Sequence, residues 1–411
     1  MENNYDILLN LLKKSVIPAT GCTEPIAVAY ATARAAEKLT NKDLVSIEVQ
    51  VDSNIYKNGL MVTIPGTQER GLLAATAFGF LFGQTEKGLR VIEGLQKKDV
   101  QKARDLLAKN KISVALNPDF QGLHIEVLLT TELEKVRVIT QGSHLNIVSV
   151  EKTSSSGAFK PYLSINLNKN NAALNQGIRK YSLADFLEFS NKIDISELHF
   201  LNEGVQMNFA IAKEGMSIDS GVSQALVKLI KEGLISDNVI TYAQILCAAA
   251  SEARMGGSSL PVMSTAGSGN QGITAFLTNC AVAEKQNLPY EKLLRSLALT
   301  NLITLFIKSY TGTLSAMCGC GVAAGIGASA GVVNLFDGTQ DQIMGTLYNM
   351  VGSITGMVCD GAKEGCAYKL ALASGWAVQS ALLALKGAII HNTDGAVSPK
   401  FEQLFQNLGY L

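Results

Sequence analysis

The sequence predicts an α+β protein whose first half contains a sheet and whose second half is helical. Residues 44–64 alternate polar and apolar around an Asn-Gly pair, as in a β-hairpin. Residues 121–150 give two further strand signals around a Gln-Gly-Ser-His turn. From about residue 181 onward the apolar residues recur at helical spacing. We therefore expect an α+β region with a mixed or antiparallel sheet over 1–180 and an all-α region over 181–411.

The remaining elements follow from local patterns. Residues 1–15 predict an amphipathic helix, the stretch 15–39 turns into an Ala-rich helix, and residues 70–117 predict helices with Lys-rich exposed faces. Residues 151–177 are rich in Ser, Asn, Lys and Gly with little periodicity, which indicates a linker or a mobile flap. In the second half we expect helices over 221–233, 241–254, 271–286, 289–308, 339–357 and 366–389.

Composition favours a small-molecule partner. The 411 residues are 47% hydrophobic and 17% charged, which is enough to bury a large core. The 35 basic and 35 acidic residues balance, so no charge excess favours nucleic acid or an anionic membrane. Charged residues interrupt the apolar runs before the ~18 residues that a membrane span needs, and no signal-peptide pattern is present. We therefore expect a cytoplasmic protein; the oligomeric state stays open, a homodimer included.

Four of the seven cysteines form two glycine-flanked pairs, Cys318 with Cys320 and Cys359 with Cys366. An odd number of cysteines without an export signal argues against a disulfide framework. The C-x-C and C-x6-C spacings do not fit the knuckles of a zinc ribbon. An iron–sulfur cluster accepts thiolates from separate loops, whereas free cysteines in Ala/Gly-rich helices are also common as small buried hydrophobes. The spacing alone leaves both interpretations open.

Other potential ligands do not form a metal site in the sequence. Cys247 and Cys280 lie within apolar helical faces, which predicts core packing. None of the histidines has the spacing of a metal-binding pair; they are His124, His144, His199 and His391. A histidine-based metal site is therefore not expected.

Cys22 lies in the stretch "TGCTEP", where a turn becomes a helix. Pro25 suits a first helical turn, so the helix is expected to begin within a few residues of the cysteine. The helix dipole and free N–H groups would lower the pKa of the thiol, making Cys22 a candidate base. Glu24 could instead be the base or a first-turn acid, and Cys22 could simply pack beneath the turn.

The loop "MSTAGSGNQG", residues 263–272, is the candidate for binding the carboxylate and amino groups of a substrate. It places small hydroxyl and amide side chains on a glycine-broken turn before a helix, a suitable site for an anion. An ordinary capped loop is the alternative. The candidate residues are Ser264, Thr265, Ser268, Asn270 and Gln271.

Three further cations and one amide are candidates for contacting substrate. Lys57 and Asn58 lie at the tip of the expected hairpin, where a solvated turn is the alternative. Lys363 lies between Cys359 and Cys366. Arg254, in "SEARMGG", could bind a carboxylate, although helical arginines usually form surface pairs.

Several long motifs resemble one known family. "TGCTEPIAVAYA", "NIYKNGLMVTIPGT", "STAGSGNQGITA", "LSAMCGCGVAAGIGASAG" and "MVCDGAKEGCAYKLA" resemble the L-cysteine desulfidase family of the UPF0597 type, over essentially the whole chain. That family is related to the α-chain of iron–sulfur-dependent L-serine dehydratases.

The resemblance implies an oxygen-labile 4Fe-4S cluster held by three cysteines, with one iron open to substrate. Cys359 and Cys366 match two ligands. The first ligand falls on Cys318 or Cys320, and aligning the valine of the related dehydratase pattern with Val322 favours Cys318. Pyridoxal phosphate is then not required, and no lysine motif for it is evident.

The activity implied by the resemblance is a lyase that converts L-cysteine and water to pyruvate, ammonia and sulfide. The open iron would act as a Lewis acid on the β-substituent, and the "GCTEP" cysteine would be the base. L-Serine dehydration is the neighbouring alternative. A non-catalytic iron–sulfur sensor is another, although no DNA-reading output module is visible.

Overall fold

The computed structural model describes residues 4–41, 43–120, 122–159, 177–312 and 314–411. Helices and strands alternate in its first half. In chain order they are α1 (Asn4–Ser15), β1 (Pro18–Thr20), α2 (Thr23–Ala36), β2 (Leu44–Val51), α3 (Ser53–Gly59), α4 (Gly71–Phe82), a 3-10 helix (Thr85–Arg90), α5 (Lys97–Leu107), β3 (Ile112–Leu116), β4 (His124–Thr131), β5 (Glu134–Gln141) and β6 (Ile147–Ser154).

Five of these strands form a mixed sheet in the order β3-β2-β4-β5-β6. Strands β2 and β3 are parallel, and the other neighbours are antiparallel. Alternate residues of β2 point into a core shared with α2 and α4; Ile47, Val49 and Val51 are almost completely buried there. The expected mixed or antiparallel sheet is confirmed as mixed.

The hairpin expected over residues 44–64 is wrong after β2. The Asp52 carboxylate accepts hydrogen bonds from the backbone N–H groups of Asn54 at 2.8 Å and Ile55 at 3.3 Å. This N-cap begins α3, so Asn58 and Gly59 lie at the end of a helix rather than in a two-residue turn. The helices expected over 70–117 are present, but that range also contains β3.

The proposed linker over residues 151–177 falls partly outside the described residues. Strand β6 continues to Ser154, so the beginning of this range belongs to the sheet. Residues 160–176 are not among those described, and the linker stays a prediction there.

The second half is formed almost entirely of helices, as expected, and includes every helix predicted there. Its elements are α6 (Leu183–Lys192), a 3-10 helix (Ile195–Leu198), α7 (Leu201–Gly215), α8 (Val222–Lys231), α9 (Val239–Met255), β7 (Pro261–Met263), α10 (Gly269–Lys285), α11 (Tyr290–Thr311), α12 (Ala323–Leu335), α13 (Gln340–Ile354), α14 (Cys366–Leu385) and α15 (Phe401–Tyr410). The fold class is therefore α+β. None of the described helices is long and apolar enough to cross a membrane.

A short strand pair joins the two halves. Strand β1 runs antiparallel to β7, with Pro18 opposite Met263, and the Ser264 N–H donates to the Ile17 carbonyl at 2.9 Å. The apolar side of α1, including Leu8 and Leu12, packs into the core of the second half. The division at residue 180 stays a prediction, but β7 departs from the expected all-α character of residues 181–411.

Candidate active site

Two cysteine-bearing loops are held together by backbone hydrogen bonds. The Cys318 N–H donates to the Met357 carbonyl at 2.8 Å, and the Cys359 N–H donates to the Ala316 carbonyl at 2.7 Å. This short antiparallel bridge places the loop before α12 beside the loop before α14. Residues about forty positions apart in the chain are therefore neighbours.

The bridge lies at one wall of a cavity of about 70 Å³. Five cysteines line this cavity, which we call the reaction cavity: Cys22, Cys318, Cys320, Cys359 and Cys366. Ionisable and amide side chains complete its polar lining, and they include Glu24, Asn58, Arg254, Asn270, Gln271, Lys308 and Lys369. Cys22, from the N-terminal half, therefore lies in the same cavity as the two later cysteine pairs.

Cys22 and Glu24 form a buried hydrogen-bonded pair at the start of α2. Cys22 is the N-cap residue, and its Sγ donates to Glu24 Oε2 at 2.9 Å. The Thr23 hydroxyl donates to the same oxygen at 3.0 Å, while the Asn58 amide donates to Oε1 at 2.8 Å. Three side-chain donors thus hold the carboxylate beside the thiol.

The expectation that the helix end lowers the pKa of Cys22 is wrong. Burial raises the pKa of this thiol well above its ordinary value, and the negative charge of Glu24 raises it further, outweighing the opposite effect of Arg254. Burial would also raise the pKa of Glu24, but His144 and the hydrogen bonds from Cys22 and Asn58 lower it overall. The shared proton therefore resides on sulfur, directed at a carboxylate.

Cys318 and Cys320 differ in their surroundings. A hydrogen bond from Cys320 lowers the pKa of Cys318 to about 6 against the effect of burial, and the Gly321 N–H at 3.4 Å from its Sγ acts in the same direction. The pKa of Cys320 is raised, first by this same interaction and then by burial. Its Sγ also lies 3.7 Å from the Ser268 hydroxyl. Of the two thiols, Cys318 therefore has the lower pKa and loses its proton more readily.

The chemistry of the cysteine set is compatible with an iron–sulfur cluster, which takes thiolates from separate loops. Among the described residues, no three His, Cys, Asp or Glu side chains converge closely enough to hold a single ion. A cluster instead takes each thiolate at a different iron, so its ligands stand farther apart. Cys359 and Cys366 each make a weak sulfur contact of 3.7 Å, to Asn58 Oδ1 and the Gly361 carbonyl respectively, which a metal–sulfur bond would readily replace. The residues therefore fit such a group.

Arg254 connects the cysteine turn to the loop before α10. This arginine is only 2% exposed; its Nη1 donates to Asn270 Oδ1 at 2.9 Å and its Nη2 to the Gly21 carbonyl. It is thus buried rather than a surface residue, and it lines the reaction cavity with an Nε that has no hydrogen-bond partner among the described residues. Gln271, one position further, lines the cavity, and its buried Oε1 has no hydrogen-bond partner among the described residues.

Four predicted substrate contacts do not line the reaction cavity. Ser264 donates to the Ile17 carbonyl and Thr265 to Asn301 Oδ1, both at 2.6 Å, so these hydroxyls hold the loop against its neighbours. Lys363 pairs with Asp360 at the surface. Lys57 Nζ donates to the Cys359 carbonyl at 3.1 Å and supports the cysteine loop from behind. Asn58, Asn270 and Gln271 do line the cavity, and their contact with substrate stays a prediction.

Lys308 is a cavity residue that sequence reasoning missed. It is 5% exposed, and a β-carbon placed on Gly319 would lie 3.3 Å from its Nζ, between Cys318 and Cys320. Burial lowers the pKa of Lys308 to about 8, although the neighbouring cysteines act in the opposite direction. Its position in the apolar run "NLITLFIKSY" of α11 was the available signal for burial.

The model of the serine dehydratase α-chain family matches residues 86–411. The chain belongs to this family. Similar proteins in it include a UPF0597 protein of Clostridium tetani (strain Massachusetts / E88), 43% identical over 99% of this chain and 94% of its own length. A UPF0597 protein of Clostridioides difficile (strain 630) is 41% identical over 98% and 94%. One from Caldanaerobacter subterraneus subsp. tengcongensis is 38% identical over 100% and 95%.

Family membership supports a dehydratase or lyase type of enzyme for this chain. The matched range contains all four cysteines of the two pairs, together with Arg254 and Lys308. It begins after Cys22 and Glu24, although the relatives align with nearly the full chain.

Proposed function

We propose that this member of the serine dehydratase α-chain family is an iron–sulfur-dependent lyase that converts L-cysteine and water to pyruvate, ammonia and sulfide. The observation that carries the proposal is the lining of one cavity by a buried thiol–carboxylate pair and four further thiols. Removing sulfide from cysteine and water from serine both require loss of the α-proton and of the β-substituent. A serine dehydratase relationship therefore supports this type of elimination.

The cofactor that we propose is an oxygen-labile 4Fe-4S cluster held by Cys318, Cys359 and Cys366. When bound, it would supply an iron that acts as a Lewis acid toward the β-substituent. The backbone bridge between the loops of Cys318 and Cys359 favours Cys318 as the first ligand. Cys320, which faces Ser268, is the alternative ligand.

The acid–base work falls to the Cys22–Glu24 pair. Transfer of the thiol proton to the carboxylate across 2.9 Å would generate a thiolate, in the same way that an adjacent base activates a nucleophile. That thiolate would accept the α-proton of the substrate. Asn58 holds the carboxylate in place through its 2.8 Å hydrogen bond, so it is a positioning residue for the pair.

The substrate would be held by the polar groups opposite this pair. The unpartnered Gln271 Oε1 is an acceptor suited to an ammonium group, and the buried Lys308 is a cation suited to a carboxylate. Asn270 is already held by Arg254, so its side chain has a fixed orientation. These contacts would orient the Cα–H bond toward Cys22.

The reaction balances without a redox partner. The electron pair of the Cα–H bond becomes a Cα–Cβ double bond, the proton goes to Cys22, and the Cβ–S pair leaves with sulfur. The aminoacrylate released then tautomerises and is hydrolysed by water to pyruvate and ammonia. L-Serine is the second candidate substrate, because the family match is to a serine dehydratase chain and the same bonds would change with water as leaving group.

The test is anaerobic purification and reconstitution with iron and sulfide, followed by parallel assays of pyruvate from L-cysteine and L-serine. We expect pyruvate and sulfide from L-cysteine, with both lost on exposure to air. Turnover of serine alone would assign the protein to dehydration. No turnover of either, with the cluster absorbance intact, would contradict the lyase proposal and favour a sensor.

Variants separate the cluster from the base. Cys22→Ala should retain the visible absorbance and lose turnover, whereas Cys359→Ala or Cys366→Ala should lose both. Cys280→Ala is the matched control: its thiol is buried in α10, does not line the cavity, and should be dispensable for cluster and turnover. Near-normal turnover of Cys22→Ala would refute the base assignment.

A further inference from the structure

A second cavity of about 290 Å³ adjoins the reaction cavity. Its walls come from both halves of the protein: the end of α1, the turn between β5 and β6, the Ala266–Gly267 turn before α10, and one side of α11. Apolar side chains such as Leu11, Ile17 and Leu305 form much of its surface. We call it the outer cavity.

Lys308 and Gly267 line both cavities. Because the Lys308 ammonium lies against Gly319 in the reaction cavity, a ligand beside this lysine in the outer cavity is next to the proposed reaction centre. The two spaces therefore share this part of their walls, and a molecule held in one lies beside the other.

The outer cavity contains a buried polar atom that lacks a hydrogen-bond partner. His144 lines it and is 5% exposed, and its Nε2 has no hydrogen-bond partner among the described residues. Lys308 is similarly buried, and the charged groups that act on its ammonium are the cysteines of the reaction cavity. Buried polar groups without partners are costly, so they are expected to face a ligand or water.

The charge of the lining selects the ligand class. Lys14, an exposed residue near the end of α1, and the buried Lys308 both line the outer cavity. Of the described residues that line it, none is Asp or Glu. A space of about 290 Å³ lies near the lower end of the ~300–1,000 Å³ typical of ligand pockets, which suits a compact molecule. Two cations and an apolar wall favour a small organic carboxylate.

We infer that the outer cavity binds a small organic carboxylate, and that in the working enzyme it holds the amino-acid substrate by its carboxylate before transfer to the reaction cavity. The identity of the ligand as the substrate rests on the proposed function. The exposed Lys14 would attract the carboxylate, and Lys308 would receive it at the boundary between the two cavities.

The experiment uses L-alanine, which has the same backbone as the substrate but no leaving group, and L-alaninamide, which lacks the carboxylate. Binding is measured by anaerobic calorimetry on the reconstituted protein. Ser143→Trp places a bulky ring at the outer cavity, and Asn146→Trp places it at an exposed position of the same turn that does not line the cavity. Lys14→Gln removes a cation that lines the cavity. Its control is Lys13→Gln, on the same helix, because Lys13 does not line the cavity.

We expect L-alanine to bind about tenfold more weakly to Ser143→Trp and about threefold more weakly to Lys14→Gln. The two control variants should stay within about twofold of the wild type, and L-alaninamide should not bind. With L-cysteine, kcat/KM should fall in parallel. Lys14→Gln keeps the test decisive if Ser143→Trp does not fold.

Three results would overturn the inference. They are no binding of L-alanine to the wild type, wild-type affinity in both Ser143→Trp and Lys14→Gln, and binding of L-alaninamide as tight as that of L-alanine. Binding that changes as expected in a protein that turns over neither cysteine nor serine would support the outer cavity while refuting the proposed function. Turnover of cysteine with unchanged kcat/KM in both variants would do the reverse.

Discussion

Replacing Gly21 by Ala should destabilise the protein through two separable effects. Gly21 has φ of 69°, where a β-carbon costs roughly 1–2 kcal/mol. That β-carbon would also lie 2.1 Å from Pro65 Cγ and 2.8 Å from Pro65 Cδ, so one of the two segments must move. Overpacking typically costs about 1–3 kcal/mol. The sum predicts a loss of about 2–5 kcal/mol in the free energy of unfolding.

Two variants isolate these effects. Gly233 has φ of 75° with no atom within 4 Å of an added β-carbon, so Gly233→Ala should cost only the roughly 1–2 kcal/mol of backbone strain. The double variant Gly21→Ala/Pro65→Ala removes the Cγ and Cδ atoms of position 65. The Cβ atom of position 65 then lies 3.5 Å from the β-carbon added at position 21. The loss in the free energy of unfolding caused by Gly21→Ala should therefore be smaller in the Pro65→Ala background than in the wild type.

The assay is urea unfolding followed by far-UV circular dichroism, with the midpoint compared at constant m-value. Turnover should fall with stability, because the Gly21 carbonyl accepts a hydrogen bond from Arg254 and the next residue is Cys22. If Gly21→Ala cost no more than Gly233→Ala, within about 0.5 kcal/mol, the close packing of the cysteine turn on Pro65 would be refuted.

Three further predictions concern buried carboxylates. Glu24→Gln should lower kcat by about 10²–10⁴-fold while retaining the cluster absorbance, and should lower the pKa of Cys22 as measured by its pH-dependent alkylation; unchanged kcat would contradict the paired role. Because the folded protein holds the pKa of Glu24 below its ordinary value of 4.5, the stability that this carboxylate contributes is present above that pH and lost as pH falls through the lowered pKa. The difference in urea midpoint between wild type and Glu24→Gln should accordingly shrink on acidification, and a constant difference would contradict it. Asp52→Ala should cost about 1–3 kcal/mol in urea unfolding, since the carboxylate caps α3 and also accepts from the His124 N–H at 2.8 Å, whereas the exposed Asp43→Ala should stay within about 0.5 kcal/mol of wild type.

The fold class was predictable because the period-two patterns lie in the first half of the chain, whereas the second half has helical patterns almost throughout. The hairpin error arose at Asp52, where a single side-chain cap redirects a strand into a helix. In the sequence, Asn58-Gly59 has the composition of a tight turn. These residues are helical because the Asp52 carboxylate caps the start of α3, six residues before Asn58. Strand β3 was missed for a different reason: its partner β2 lies far away in the chain, and pairing between them is parallel.

The candidate site was predictable where chemistry limits the residue type. Cysteine at a helix start and cysteines among glycines are unusual enough to identify, and all five line one cavity. Hydroxyl residues are less informative, because Ser264 and Thr265 hold the loop against neighbouring segments through hydrogen bonds to Ile17 and Asn301. The apolar run around Lys308 indicates burial, but its place in the site depends on tertiary structure, because its ammonium lies against Gly319 of a cysteine loop. The direction of the Cys22 pKa likewise depends on Glu24 and on burial, which tertiary structure determines.

A single residue, Gly21, separates the end of β1 from Cys22. Strand β1 is fixed to β7, so the length of this connection determines how far Cys22 and Glu24 reach into the cavity. One inserted residue would advance the chain by about 3.3 Å, more than the 2.8 Å hydrogen bond that joins Asn58 to Glu24. Among members of the family, we therefore expect insertions and deletions to be absent between this strand and helix, even where the residues around them have diverged.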